Sequence, residues 1–407
     1  MSNLEELKNK LCPNGVEFKK LEEVCSFIYG YTEKARDEGN VRFVRITDIS
    51  EIGCLNAEGA KYINLTPECE KYLLKRGDLL TARAGATYGK TLYFDEDYPA
   101  VYASYLIKLN LDNNLILNRY YWHFAKSSYY WKQADKLAVG GAQPNLNANS
   151  LAKIIVPIPP LEVQEEIVRI LDPLTKDVNE LVDLLKREQE LRKKQYSYYR
   201  DKLLTFEEDT PKVKLGEIGK IFRGSGITKD QIKNVGTPCV RYGEIYTKYG
   251  IYFDKCYSYI DENDVPNKKY FSYGDILFAV TGENVIDIGK CTAYVGTEQC
   301  IAGGDMIILT NHNQEPKYLS YALSTTNAIK QKTKNKRKNT RVHLSLDEVR
   351  NFEIPLPPLE KQKEIVSILD NLEQYYNNLH ESLPAEIEKR KKQYEFYRDK
   401  LLTFEKI

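Results

Sequence analysis

RKKQYSYYRDKLLTFE, residues Arg192–Glu207, occurs again as RKKQYEFYRDKLLTFE, residues Arg390–Glu405. Each copy closes a longer segment that opens on a proline run, VPIPPLEVQEEIVRILD from Val156 and IPLPPLEKQKEIVSILD from Ile354. The offset is 198 residues without a gap, and 32 of the 51 pairs from Pro157/Pro355 to Glu207/Glu405 are identical, far above chance. The chain is a tandem duplication, and a period near 200 residues means two domains rather than a solenoid of short repeats.

Working outward, the stretches before each proline run also correspond. VKLGEIGKIFRGSGITK answers FKKLEEVCSFIYGYTEK, CVRYGEIY answers the strand-like FVRITDIS, and KYFSYGDILFAVTGE answers KYLLKRGDLLTARAG. YLSYALSTTNAIKQ stands where a Tyr/Trp-rich helical patch, LNRYYWHFAKSSYYWKQADKL, stood before. Val44-Arg45 and Gly77-Asp78 persist as Val240-Arg241 and Gly274-Asp275, while the loops between differ in length and chemistry. Strands, loops and helices alternate without a βαβ rhythm. The expected architecture is α+β, with similar domains over residues 1–155 and 211–353 and repeated helical spacers over 156–210 and 354–407.

The spacers carry heptad-like stripes. Leu171, Leu174, Val178, Leu181 and Leu185 recur at spacings of three and four, followed by Tyr196, Tyr199, Leu203 and Phe206. Leu369, Leu372, Tyr376, Leu379 and Leu383 do the same, followed by Tyr394, Tyr397, Leu401 and Phe404. Apolar stripes with charged flanks belong to helices that pack on another helix. Connectivity then makes the pair an antiparallel coiled coil with pseudo-two-fold symmetry; about 45 residues at 1.5 Å each give a spacer on the order of 65 Å. Pro384 is expected to kink or restart its helix, with Ser382 as cap, and Pro173 threatens the first helix likewise. The Arg-Lys-Lys and Arg-Asp-Lys faces of the repeat are left for solvent or partners.

Composition narrows the function. A length of 407 residues with 42% apolar content suits two cores, and a net charge of +1 confines any nucleic-acid reading to local patches. Eight scattered cysteines without a CxxC pair argue for reduced thiols in a cytoplasmic protein, and no apolar run approaches a membrane span or signal peptide. The 31 tyrosines serve mostly cores and helix seams, with the remainder facing a polar partner.

Catalytic signals are weak. GATYGKT, Gly85–Thr91, falls one residue short of a phosphate-binding P-loop, and its counterpart GENVIDIGKC changes the spacing, so a strand-to-strand turn is expected. No Asn-Pro-Pro-aromatic methylation motif, no GxGxxG and no nuclease-type acidic cluster occurs. His123, His312, His343 and His380 sit in unrelated contexts and read as satisfied or surface side chains.

The positive signal lies in the loops. Lys332, Lys334, Lys336, Arg337, Lys338 and Arg341 form a run of six cations without an acid, suited to phosphates and guanine edges. At the equivalent place before the first proline run, Gln143, Asn145 and Asn147 offer amides of the kind that read adenine. Matching polar loops supply Thr32, Lys34 and Arg36, and Arg223, Ser225 and Lys229. Arg83, Tyr88 and Lys90 around the first Gly-Lys turn and Lys290 in the second complete the DNA-binding candidates.

A repeated variable domain, each followed by P-x-P-P-L-E-x-Q-x-x-I-V-x-I-L-D and a long helix, resembles the specificity (S) subunit of Type I restriction-modification systems. The likeness covers essentially the whole chain and is also carried by GTPCVRYGEIYTKYG, Gly236–Gly250. It implies two target-recognition domains, each reading half of a bipartite double-stranded DNA sequence. The helices would set the spacing and dock two methyltransferase subunits, and translocase-nuclease (restriction) subunits would join the assembly. S-adenosylmethionine, ATP and magnesium would belong to those partners, with no cofactor, metal or catalysis in this chain. The other class in view is a non-DNA scaffold whose duplicated helices recruit two copies of a partner; salt-dependent duplex binding discriminates the two.

Overall fold

The structure is a computed structural model that describes residues 2–140, 144–207, 210–282, 285, 287–334, 336 and 342–407. It divides into two compact units, Met1–Lys186 with Pro384–Ile407, and Arg187–Leu383. Each unit therefore takes a part of both long helices, which run over Leu161–Leu203 and Leu359–Leu401.

In unit 1 a four-stranded antiparallel sheet has the order Cys25–Tyr29, Leu106–Leu111, Leu79–Ala82, Thr91–Tyr93. A smaller sheet sets Val41–Val44 between Tyr62–Ile63 and Ala100–Tyr102, antiparallel to the first and parallel to the second. All four residues of Val41–Val44 are buried, Arg42 among them because its guanidinium reaches the Asn56 carbonyl at 2.8 Å. The strand expected over VRFVRITDIS ends there: Asp48 accepts the Arg45 amide at 2.9 Å and its guanidinium at 2.7 Å, which closes a 3-10 turn over Ile46–Asp48. The Tyr/Trp patch is two helices, Asn118–Phe124 and Ser128–Leu137, because Ser127 breaks the run and caps the second. Tyr120, Tyr121, Trp122 and Phe124 are at most 1% exposed, so this patch is core. Its indole N–H donates to Gly53 at 3.0 Å.

Unit 2 repeats the plan with longer sheets. One has the order Lys220–Arg223, Met306–Thr310, Ile276–Ala279, Cys291–Tyr294, Tyr252–Phe253; the other runs Ile232–Lys233, Ser258–Ile260, Thr237–Val240, Cys300–Ala302, Tyr270–Phe271. Glu244 accepts the Arg241 amide as Asp48 does in unit 1, and starts a helix over Tyr242–Thr247.

The helices pair antiparallel inside each unit. In unit 1 Leu171 shares a cluster with Leu401, and the Thr175 hydroxyl meets that of Tyr394 at 2.8 Å. In unit 2 Tyr196 stacks on Tyr376 with ring centres 4.9 Å apart, and Leu204 clusters with Leu369. The stripe of the second helix is as expected, but in the first Val182 is buried while Leu181 is 36% exposed. The seam steps 171, 175, 178, 182, and Thr175 fills a place that hydrophobicity alone assigns elsewhere. Neither proline breaks its helix. Both lie on exposed turns, where the loss of one amide costs least, and Ser382 is no cap: its hydroxyl donates back to Leu379 at 3.2 Å.

The repeat's most constant residues anchor each helix to a body. Gln164 is fully buried, accepts the Leu117 amide at 2.9 Å, and donates to Leu115 and Pro159 carbonyls at 2.8 Å each. Gln362 accepts the Glu315 amide at 3.1 Å and donates to Gln314 and Pro357 at 2.8 Å each. Asp172 takes Arg119 at 2.8 Å and His123 at 2.7 Å; Asp370 takes Lys317 at 2.7 Å and the Tyr321 hydroxyl at 2.9 Å. Burial holds the His123 imidazole down at about 4 and so keeps it neutral.

The Arg-Asp pair of the opening repeat faces inward, against expectation. Arg200 and Arg398 are only 9% and 6% exposed. Each guanidinium grips the following carboxylate, and Asp399 accepts the Ser128 amide at 3.2 Å while Asp201 accepts that of Thr326 at 3.1 Å. A carboxylate on free amides at a helix start satisfies donors the helix cannot, and its charge suits that end of the dipole.

Glu373 occupies in unit 2 the place of Thr175 in unit 1. Burial beside Tyr196 raises its carboxyl above its ordinary value. A raised folded value means the contribution to stability is present below the unfolded value and is lost as pH rises through the folded one. Glu373→Gln is therefore expected to raise the melting temperature of unit 2 relative to the parent at pH 8, with the difference shrinking toward pH 4 in calorimetric scans.

Candidate nucleic-acid interface

In unit 1, Thr32, Lys34 and Arg36 have exposed side chains on a segment whose backbone is tied to the small sheet, with Tyr31 bridging Ala103 and Arg36 bridging Tyr62. The Gly-Lys motif is the expected turn between strands, Gly85–Thr87 forming a 3-10 turn and Gly89 donating to Ala82 at 2.7 Å. Tyr88 is engaged there, its hydroxyl donating to Asp135 at 2.7 Å. Asn145 pairs with Val139 through its backbone, and its side-chain oxygen is buried without a partner among the described residues. Asn147 caps the helix Ala148–Leu151, its oxygen accepting the Ser150 amide at 3.0 Å, so a bidentate contact to adenine requires giving up the cap. Gln143 lies outside the described residues.

In unit 2, Arg223 and Lys229 are exposed, whereas Ser225 is buried and donates to the Asn267 carbonyl at 2.9 Å. Lys290 is turned onto the carbonyls of Tyr246 and Tyr249 at 3.3 and 3.1 Å, and burial lowers its ammonium below the ordinary value. In the cation run Lys334 is exposed, while Lys332 is buried and bonds to Leu323 at 2.7 Å. Lys336 pairs with Glu348 at 2.6 Å; Arg337, Lys338 and Arg341 lie outside the described residues. Ser225, Lys290, Lys332 and Lys336 thus hold structure, because each finds an internal acceptor that the sequence does not display. His312 and His343 are satisfied by Gly274 at 2.6 Å and Thr281 at 3.0 Å, and the side chain of His380 lies outside the described set.

Two groupings escaped the sequence reading. The Arg83 guanidinium lies 5.3 Å from the Tyr29 ring and 5.1 Å from that of Tyr105, with both rings more than 40% exposed. A cleft of about 700 Å³ gathers Lys90, Lys126, Lys186, Lys391 and Arg398 with Glu51, Asp183 and Glu395. Lys126 is pushed well below the ordinary ammonium value by burial against the Trp122 ring, 2.9 Å from its centre. Neither grouping has a periodic or motif signature. Among the described residues no cluster of His, Cys, Asp or Glu is arranged to hold a metal ion, and no helix is long and apolar enough to cross a membrane. All eight cysteines are free thiols.

Residues 13–192 and 207–389 each match the Type I restriction modification DNA specificity domain. The chain belongs to the type I DNA specificity family. Among curated proteins it is 30% identical over 328 residues to the type I restriction enzyme EcoR124I/EcoR124II specificity subunit of Escherichia coli, covering 77% of this chain and 78% of that one. It is 31% identical over 299 residues to a protein of Haemophilus influenzae named as a type I restriction enzyme specificity subunit, covering 70% and 72%. A solved chain, from work on complex assembly and conformational transition of the type I R-M system, superposes with a TM-score of 0.71 at 18% identity, over 96% of this chain and 98% of that one. The family places the chain as a DNA specificity subunit, a recognition component, and the two domain matches give it two recognition domains.

Proposed function

We propose that each unit reads one half of a bipartite sequence in duplex DNA, and that the helices set the gap and dock two methyltransferase subunits, to which restriction subunits add. The carrying observation is the contrast inside the duplication: the helix anchors Gln164/Gln362, Asp172/Asp370 and Asp201/Asp399 keep their geometry, while the candidate loops share almost no side-chain chemistry. Helices seated alike in both units suit the same partner bound twice, and unlike loops on a like frame suit two different half-sites. S-adenosylmethionine, ATP and magnesium then serve partner subunits in the cytoplasm, and this chain supplies recognition without catalysis.

The test is assembly with the methyltransferase, weighed by light scattering and titrated with duplex DNA. Two methyltransferase subunits per chain and affinity that falls steeply with salt are expected. Assembly without salt-dependent DNA binding would return the chain to the scaffold class.

A further inference from the structure

At one end of the main sheet the two units share a backbone frame and differ in the side chains set on it. In unit 1 the amides of Gly30, Arg83 and Leu146 donate to the carbonyls of Leu106, Tyr105 and Arg83 at 3.1, 3.0 and 2.7 Å. In unit 2 the amides of Gly224, Val280 and Leu344 donate to Met306, Asp305 and Val280 at 3.1, 3.1 and 2.9 Å. The strand registers agree as well: Tyr29 faces Ile107 and Ala82 faces Leu106, as Arg223 faces Ile307 and Ala279 faces Met306. Gly30 and Gly224 make the frame possible, since a Cβ on either would collide with the Ala103 or Gly303 carbonyl. Tyr29, Arg83 and Tyr105 are thereby the counterparts of Arg223, Val280 and Asp305.

The chemistry at these positions is exchanged. In unit 1 a guanidinium lies 5.3 and 5.1 Å from the centres of two exposed phenol rings, forms no ion pair among the described residues, and has its Nε buried without a described partner. In unit 2 the central Val280 is fully buried, and the exposed flanks are a cation and a carboxylate. Mere surface packing of Arg83 accounts for one nearby ring, but not for a buried Nε without a described partner on a guanidinium that also has two solvent-exposed rings within 5.3 Å. Rings flanking a guanidinium limit its rotation and shed water from it, which suits a fork that must meet a base edge.

We propose that these three positions determine base specificity: Tyr29–Arg83–Tyr105 recognises a guanine edge in the half-site of unit 1, and Arg223 with Asp305 recognises a different step in that of unit 2. Arginine pairs with the O6 and N7 of guanine, and an aspartate accepts from the N4 of cytosine. The inference rests on the reading of each unit as a half-site reader.

Its test is the methylation motif of cells that express the parent, Arg83→Val or Arg83→Lys chain with the methyltransferase of the system. Arg83→Val installs the residue unit 2 carries on the same frame, and Arg83→Lys keeps charge and stem while losing the fork. Both are expected to lower discrimination at one guanine of one half-site by roughly 10-fold or more, with the other half unchanged. An Arg83→Lys chain that keeps the parental motif overturns the assignment while the half-site reading stands, and one that changes both halves overturns the two together. A parent chain that yields no bipartite motif overturns that reading and the assignment with it.

Discussion

Gln164→Leu is expected to lower the stability of unit 1 by about 3–5 kcal/mol, because it strands three backbone groups at once, one of them buried and two partly buried. The leucine fits the space but leaves the Leu117 amide and the carbonyls of Leu115 and Pro159 without the fully buried side chain that pairs them. Against a total stability of roughly 5–15 kcal/mol, this moves the melting transition by about 10 °C or more. Gln362→Leu strands the Glu315 amide and the Pro357 carbonyl in the same way and is expected to act on unit 2. Calorimetry of the two variants separates the effects. Glu162→Ala removes an equally repeated but exposed residue and is expected to cost less than about 1 kcal/mol. Equal losses for Gln164→Leu and Glu162→Ala would show that the repeat is not held in place by its buried amide.

The duplication, both helices and the seam of the second helix were legible in the sequence, since each is written in spacing. What spacing does not carry is direction. Arg200 and Asp201 read as a solvent face because charge is usually exposed, yet the free amide of Thr326 draws the pair inward. The same limit governs the candidate loops. Ser225, Lys290 and Lys336 have the composition of DNA ligands, but each lies next to a backbone carbonyl or carboxylate that only the fold brings up. Tyr29 and Tyr105 were hidden for another reason: in a chain with 31 tyrosines the residue type has no contrast, and only their closeness to the Arg83 guanidinium sets them apart. Arg83 itself stands among the candidates around the first Gly-Lys turn, and the structure adds the two rings beside it.

Exchange of residues 1–155 for the corresponding domain of another family member is expected to rewrite one half of the target and leave the other intact. The junction falls where Ile155–Ile158 pairs with Glu17–Lys20, so the incoming body must supply its own strand, and its own amide donor and carbonyl acceptor for Gln164. Unit 2 keeps its core, its helix pairing through Tyr196 and Tyr376, and its own loops. Loss of a matched base pair costs about 1–3 kcal/mol, so rewriting several positions amounts to a complete change of half-site rather than a shift in preference. The decisive measurement is the methylated motif, read by methylation-sensitive sequencing in cells that express the exchanged chain with its methyltransferase. A bipartite motif with one new half, one parental half and the parental gap is the expected result; a motif altered in both halves, or one that is continuous, would contradict independent reading by two units.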